Sequence, residues 1–138
     1  MREIFVDTSA WYAIEDTSDA NHDIALSFKE EIAESYRLVT TNYVLDETYT
    51  LLLLNISYNR TVRFKHDIDL MTESGILVVV YISESMEKSA WEVFERFNID
   101  KEWSFTDCTS KVVMDQRKIN EVFAFDHHFE QMGFVKKP

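Results

Sequence analysis

Apolar residues along this chain arrive in two rhythms, and the alternation between them marks out the elements. Short apolar runs at residues 4–6, 37–40, 76–82 and 121–125 read as strands. The third is unbroken in hydrophobicity and is therefore expected to be covered on both faces. Between the runs, apolar positions recur at helical spacing. Over residues 20–35, Ile24, Ala25, Phe28, Ile32 and Ala33 fall on one face. Residues 43–56 form a strongly apolar helix, and residues 57–74 a further one with Gly75 closing it. Residues 83–97 place Met86, Ala90, Val93, Phe94 and Phe97 inward, and residues 104–118 make a last long helix. Residues 11–15 read as a short helix or turn, and residues 98–103 as a loop. Strands alternating with helices predict an α/β class and a three-layer domain. It would hold a central parallel sheet of four to five strands flanked by helices, as a single domain over residues 1–138. Right-handed crossovers would bring the carboxyl ends of the first and last strands to one sheet edge.

Composition narrows the chemistry. A chain of 138 residues, 46% hydrophobic and 14% aromatic, suits one respectable core. With 2 Gly and 1 Pro, a Gly-rich phosphate loop is excluded. A lone Cys108 allows neither an internal disulfide nor a cysteine-based zinc site. No signal segment precedes the first strand, and the longest apolar run is far below the roughly 20 residues of a membrane helix. The expectation is a soluble, cytoplasmic protein without membrane attachment. A net charge of −11 argues against non-specific nucleic-acid binding through a basic face. An acidic chain still acts on a polyanion where carboxylates hold divalent cations.

The first strand runs directly into Asp7-Thr8-Ser9. In open α/β sheets, function gathers at strand carboxyl ends, although this tripeptide equally suits a turn or a helix N-cap. The same arrangement recurs: Asp126 ends the last strand, and Glu47 and Asp107 lie near the starts of helices. Glu47 shares a face with Tyr43, Thr50, Leu51 and Leu54, where a carboxylate is costly without a partner or metal. Asp46, about 100° around the helix, reads as solvated charge instead. Ser104 and Asp107 have capping-box spacing, so Asp107 also fits a simple first-turn acid. Asp115 lies ~12 Å further along that helix, too far to share a metal with it.

Four carboxylates converging at one edge repel one another unless they bind hard, oxygen-seeking ions such as Mg²⁺ or Mn²⁺. Such a site suits phosphodiester hydrolysis, in which bound metal activates water and stabilises the leaving oxygen. Arg60, Arg63 and Lys65 form the densest positive charge and are candidate phosphate contacts, or else a helix surface balanced by Asp67, Asp69 and Glu73. His22 reads as a surface or half-capping residue. His127 and His128, being adjacent, are expected to diverge and make a poor joint metal site.

Phe5-Val6-Asp7-Thr8-Ser9, Leu45-Asp46-Glu47-Thr48, Thr106-Asp107 and Phe125-Asp126-His127-His128-Phe129 resemble the four acidic motifs of the PIN domain family. Order and spacing match over essentially the whole chain, whose length is most similar to VapC-type toxins of toxin–antitoxin pairs. The resemblance implies a metal-dependent endoribonuclease, a homodimer, and a small antitoxin that blocks the site. Carried over by position, Asp7, Glu47, Asp107 and Asp126 would ligate Mg²⁺ or Mn²⁺, with Thr8, Ser9 and Thr106 as supporting hydroxyls. Ala124 departs from the pattern, since relatives often place a hydroxyl residue two positions before the fourth acid. A PIN nuclease of RNA maturation remains open, as does a degenerate RNA- or protein-binding module. Retention of four mutually repelling acids counts against the degenerate module.

Overall fold

The computed structural model describes all 138 residues. Five strands form one parallel sheet: β1 (Arg2–Val6), β2 (Tyr36–Thr41), β3 (Leu77–Val80), β4 (Glu121–Phe123) and β5 (Val135–Lys137), in the order β3-β2-β1-β4-β5. Seven helices connect and cover them: α1 (Thr8–Glu15), α2 (His22–Ile32), α3 (Asn42–Asn55), α4 (Tyr58–Glu73), α5 (Glu84–Phe97), α6 (Phe105–Arg117) and α7 (His128–Gln131). The α/β class and the upper strand count expected from the sequence are both observed.

β1 is central because its apolar run can be covered everywhere. Ile4, Phe5 and Val6 are at most 1% exposed, and fully burying such a side chain contributes about 1.5–3 kcal/mol. β1 pairs with β2 through Ile4–Leu38 and Phe5–Val39, and with β4 through Phe5–Val122 and Val6–Phe123. The chain winds outward through β2 and β3 on one side of β1, then returns to add β4 and β5 on the other. The reversal of strand order therefore falls between β1 and β4. That is where a parallel sheet opens a crevice beyond its strand carboxyl ends.

The core joins both sides of the sheet to the helices. Phe28 from α2 meets Phe123 edge-on at 4.8 Å between ring centroids, and Trp11 from α1 meets Phe64 from α4 at 5.7 Å. A smaller cluster of Ala90, Trp103, Cys108 and Val112 locks α5 onto α6. Burial raises the Cys108 thiol to about 11 and leaves it unreactive. Gly75, at φ +79°, takes the left-handed position just past α4, as the sequence led one to expect.

Two expectations need correction. The run at 76–82 is covered only in part: β3 is an edge strand in which Leu77 is buried and Val78, Val79 and Val80, on alternating faces, are half-buried against the core. An unbroken apolar run does not distinguish a central strand from an edge strand partly covered on both faces. The run at 121–125 gives a shorter strand, 121–123, which is the last buried one as expected, but a further, largely uncovered strand follows it. After α7 the chain turns at Gly133, φ +93°, and β5 pairs with β4 from Glu121–Val135 to Phe123–Lys137. β5 reads Val-Lys-Lys, with one apolar residue and no periodicity to reveal it. It is held by Glu121, which accepts from Lys137 Nζ at 2.7 Å, from the Tyr36 hydroxyl at 2.8 Å and from Arg2. Burial opposes ionisation of Glu121, but these three donors hold its carboxyl below the usual value.

Candidate functional site

The crevice between β1 and β4 collects the strand-end acids. Asp7 ends β1 and N-caps α1 in extended backbone geometry, so the capping reading of Asp-Thr-Ser is realised at the strand end where the functional reading also places the acid. Its Oδ2 accepts from the Ser9 amide at 3.1 Å and the Ser9 hydroxyl at 2.8 Å. The Ser9 hydroxyl in turn accepts from the Phe125 amide at 3.0 Å. One serine thus ties the acid of β1 to the segment carrying Asp126.

Asp7 is 4% exposed. Burial pushes its carboxyl up to about 7, the Asp107 charge adds to this, and Ser9 opposes it. Asp107 is buried in the first turn of α6, whose N-cap Ser104 accepts from the Asp107 amide at 3.0 Å. Its carboxyl is raised by desolvation, drawn back by a hydrogen bond from His128, and raised again by Asp126. Glu47 projects from α3 with its tip in water. It is raised first by partial desolvation, with Asp107, Asp126 and Asp46 repelling it and the Thr8 hydroxyl acting in the opposite sense. The Thr8 hydroxyl also lies 3.4 Å from the Val44 carbonyl, one helical turn before the next Thr donor, Thr48.

Asp7, Glu47, Asp107 and Asp126 therefore stand in one electrostatic field, from elements spread along nearly the whole chain. Apart from His128, the charges that dominate this field are negative. Beyond burial, the repulsion among these carboxylates raises Asp7, Glu47 and Asp107, and a cation bound among them would offset it. An all-oxygen donor set of this kind fits a hard divalent ion.

His128 is the residue the sequence did not single out. Its Nδ1 lies 2.9 Å from Asp107 Oδ2 and 3.2 Å from Asp126 Oδ1, and its amide donates to Asp126 at 3.0 Å. With Nδ1 protonated, one ring holds two acids together. The expectation that the histidines diverge fails, because they do not sit mid-helix. His127 caps the four-residue α7 while His128 opens it, and one ligand atom each from Asp126, His127 and His128 falls within 4.8 Å of the others. The available signal was Asp-x-His at a strand-to-helix turn, where a side chain folds back over the strand end.

The remaining candidates lie elsewhere. Thr106 acts through its carbonyl, which accepts from the Thr109 and Ser110 hydroxyls at 2.6 and 3.0 Å. Arg60 and Arg63 act on Glu15, at the opposite end of α1 from Asp7. Lys65 pairs with Asp69 at 2.5 Å on its own helix. Asp115 pairs with Lys111 at 2.7 Å, and His22 bonds the Ala13 carbonyl at 2.8 Å.

Fold and acidic crevice together define the class. The PIN domain family model matches residues 4–135, and the chain belongs to the PIN domain family. The 23S rRNA-specific endonuclease VapC20 of Mycobacterium tuberculosis is 36% identical over 134 residues, covering 96% of each protein. The crystal structure of VapC20, described as a Sarcin-Ricin loop cleaving toxin, superposes with a TM-score of 0.83 over 96% of both chains. A VapC ribonuclease of Archaeoglobus fulgidus is 30% identical over 126 residues, covering 90% of this chain and 77% of the relative. VapBC2 from Rickettsia felis, solved bound to a DNA fragment from its promoter, shares the fold at a TM-score of 0.69 with 9% identity, over 98% of this chain and 96% of that one.

Proposed function

We propose that this protein is a Mg²⁺- or Mn²⁺-dependent endoribonuclease, the toxin of a toxin–antitoxin pair. The observation that carries the reading is the convergence of Asp7, Glu47, Asp107 and Asp126 at the crevice between β1 and β4. Similarity to VapC20 over 96% of the chain supports RNA as the substrate and makes ribosomal RNA the first to try.

Asp7, Glu47, Asp107 and Asp126 would hold the metal. When bound, Mg²⁺ or Mn²⁺ supplies Lewis acidity for water activation and for charge on the leaving oxygen. The protein's own groups prepare the place. Ser9 fixes the Asp7 carboxylate, and Thr8 offers a hydroxyl to Glu47. His128 keeps Asp107 and Asp126 at a set separation, while burial around Asp7 excludes water. Thr106 supports the α6 turn through its carbonyl. Arg60, Arg63 and Lys65 would meet phosphate only at a distance from the acids, as part of a longer RNA path.

A homodimer is part of the same proposal. Leu53, Leu54, Tyr58 and Val62 expose a contiguous apolar face on α3 and α4, each 49–74% accessible. An antitoxin that covers the acids would complete the pair. VapBC2, a like-folded assembly, supports this only as an analogy of fold.

The test is incubation of the purified protein with ribosomal and total RNA in Mn²⁺ or Mg²⁺. Discrete cutting is expected, abolished by EDTA and by Asp7→Asn. Intact RNA, together with no metal binding by calorimetry, overturns the reading.

A further inference from the structure

A second feature, alongside the acids, is not explained by them. A groove of about 550 Å³ is lined by Glu84, Glu87, Lys88, Trp91, Glu92 and Phe105. Trp91 is 52% exposed and stacks on Phe94, with centroids 5.1 Å apart and an interplanar angle of 17°. Its ring lies 6.4 Å from Phe105, which lies 6.3 Å from Tyr43. Tyr43 precedes Glu47 by one turn on the same face of α3. The ring series therefore leads outward from the acidic crevice.

The charge on its rim decides what it can hold. Glu84 pairs with Lys88 at 3.7 Å, Glu87 accepts from the Tyr43 hydroxyl, and Glu92 forms no ion pair. Such a rim repels a phosphate. It equally repels a second copy presenting the same acids, for which the apolar α3–α4 face is better suited. It accepts a flat ring that carries N–H donors on its edge. Aromatic side chains bind unpaired bases by stacking, and carboxylates accept from base N–H groups. Among the RNA bases only guanine presents two adjacent donors, N1–H and the 2-amino group, to one carboxylate.

We propose that this groove is a base subsite. An unstacked guanine near the scissile phosphate lies on Trp91, with its N–H edge against the rim glutamates. This assignment rests on the endoribonuclease reading and names part of its substrate.

The Asp7→Asn chain, expected to leave RNA uncut, serves as the binding form. It is titrated, with Mn²⁺ present, with the pentaribonucleotides UUGUU, UUAUU and UUUUU. Trp11 and Trp103 are 2% and 3% exposed, so quenching of tryptophan fluorescence reports Trp91. UUGUU is expected to quench and to bind about tenfold more tightly than the other two. Added Trp91→Ala should remove that preference, read by fluorescence anisotropy of labelled RNA. Equal binding of all three, or a guanine preference kept in Trp91→Ala, overturns the proposal. So does quenching by an arginine-bearing peptide with none by RNA, or a Trp91→Ala protein that changes from dimer to monomer. Cleavage by the unmutated protein is scored separately. If it cuts no RNA while guanine still quenches, the nuclease reading falls and the guanine site stands.

Discussion

Replacing Asp7 by Asn should stabilise the metal-free protein, and the size of the effect should depend on pH in one direction. Buried beside Asp107, Asp7 has its carboxyl raised from 3.8 to about 7. The folded state therefore holds a proton that the unfolded chain has already released between those values. Stability falls as pH rises wherever the native state binds more protons. The penalty is absent below about pH 4, grows through the window, and is complete above about pH 7. At about 1.4 kcal/mol per pH unit it reaches about 4 kcal/mol. Asparagine has no charge to desolvate, and its Oδ1 can still accept from the Ser9 amide and hydroxyl, which are 3.1 and 2.8 Å from the Asp7 oxygen. At about 3 °C per kcal/mol for a chain of this size, Asp7→Asn should melt roughly 10 °C higher at pH 8 in EDTA. At pH 4 the two proteins should melt together. Mn²⁺ at about 100 times its Kd should return about 2.7 kcal/mol to the unmutated protein and much less to the variant. A gap of equal size at pH 4 and pH 8, or a less stable variant at pH 8, refutes the reasoning.

Other expectations follow from single contacts. His128→Ala frees Asp107 and Asp126 from their shared donor and should weaken Mn²⁺ binding by about tenfold in calorimetry, with the fold unchanged by circular dichroism. Ser9→Ala leaves the half-buried Phe125 amide without its acceptor and should cost about 1 kcal/mol in urea unfolding. Glu121→Ala lies at the opposite sheet edge; it should loosen β5 and lower the melting temperature without lowering cleavage per folded molecule. Because the Glu121 carboxyl is held below its usual 4.5, its contribution is present above that pH and is lost on acidification, so the variant's deficit should shrink below about pH 4. Leu54→Arg places a charge on the apolar α3–α4 face and should shift the protein from dimer to monomer in light scattering.

The parts of the candidate site legible in the sequence are those where a local rule marks the same residue. Asp7 and Asp126 follow apolar runs, so the strand pattern announces them. Glu47 betrays itself by standing on an apolar helix face. Asp107 follows the Ser104 cap at a spacing that also sets its direction. Less was legible where the third dimension chooses between equal local options. Nothing in His127-His128 says which ring folds back over Asp107, because the acid lies 21 residues away. Val135–Lys137 carries no strand pattern, since β5 is fixed by Glu121 and by pairing with β4 rather than by burial of its own side chains. The run before Ile82 has the composition of a central strand but ends the sheet, because no later strand returns to its side.

The winding order has a consequence during synthesis. β1, β2 and β3 can pair as soon as they leave the ribosome, but β4 takes the open flank of β1 only after residue 123. Asp126 follows it, and His128 comes later still. A growing chain therefore carries Asp7 and Glu47 for most of its length, and Asp107 for its last stretch before Asp126, without a complete acidic crevice. A chain that stops before residue 126 lacks one of the four proposed ligands.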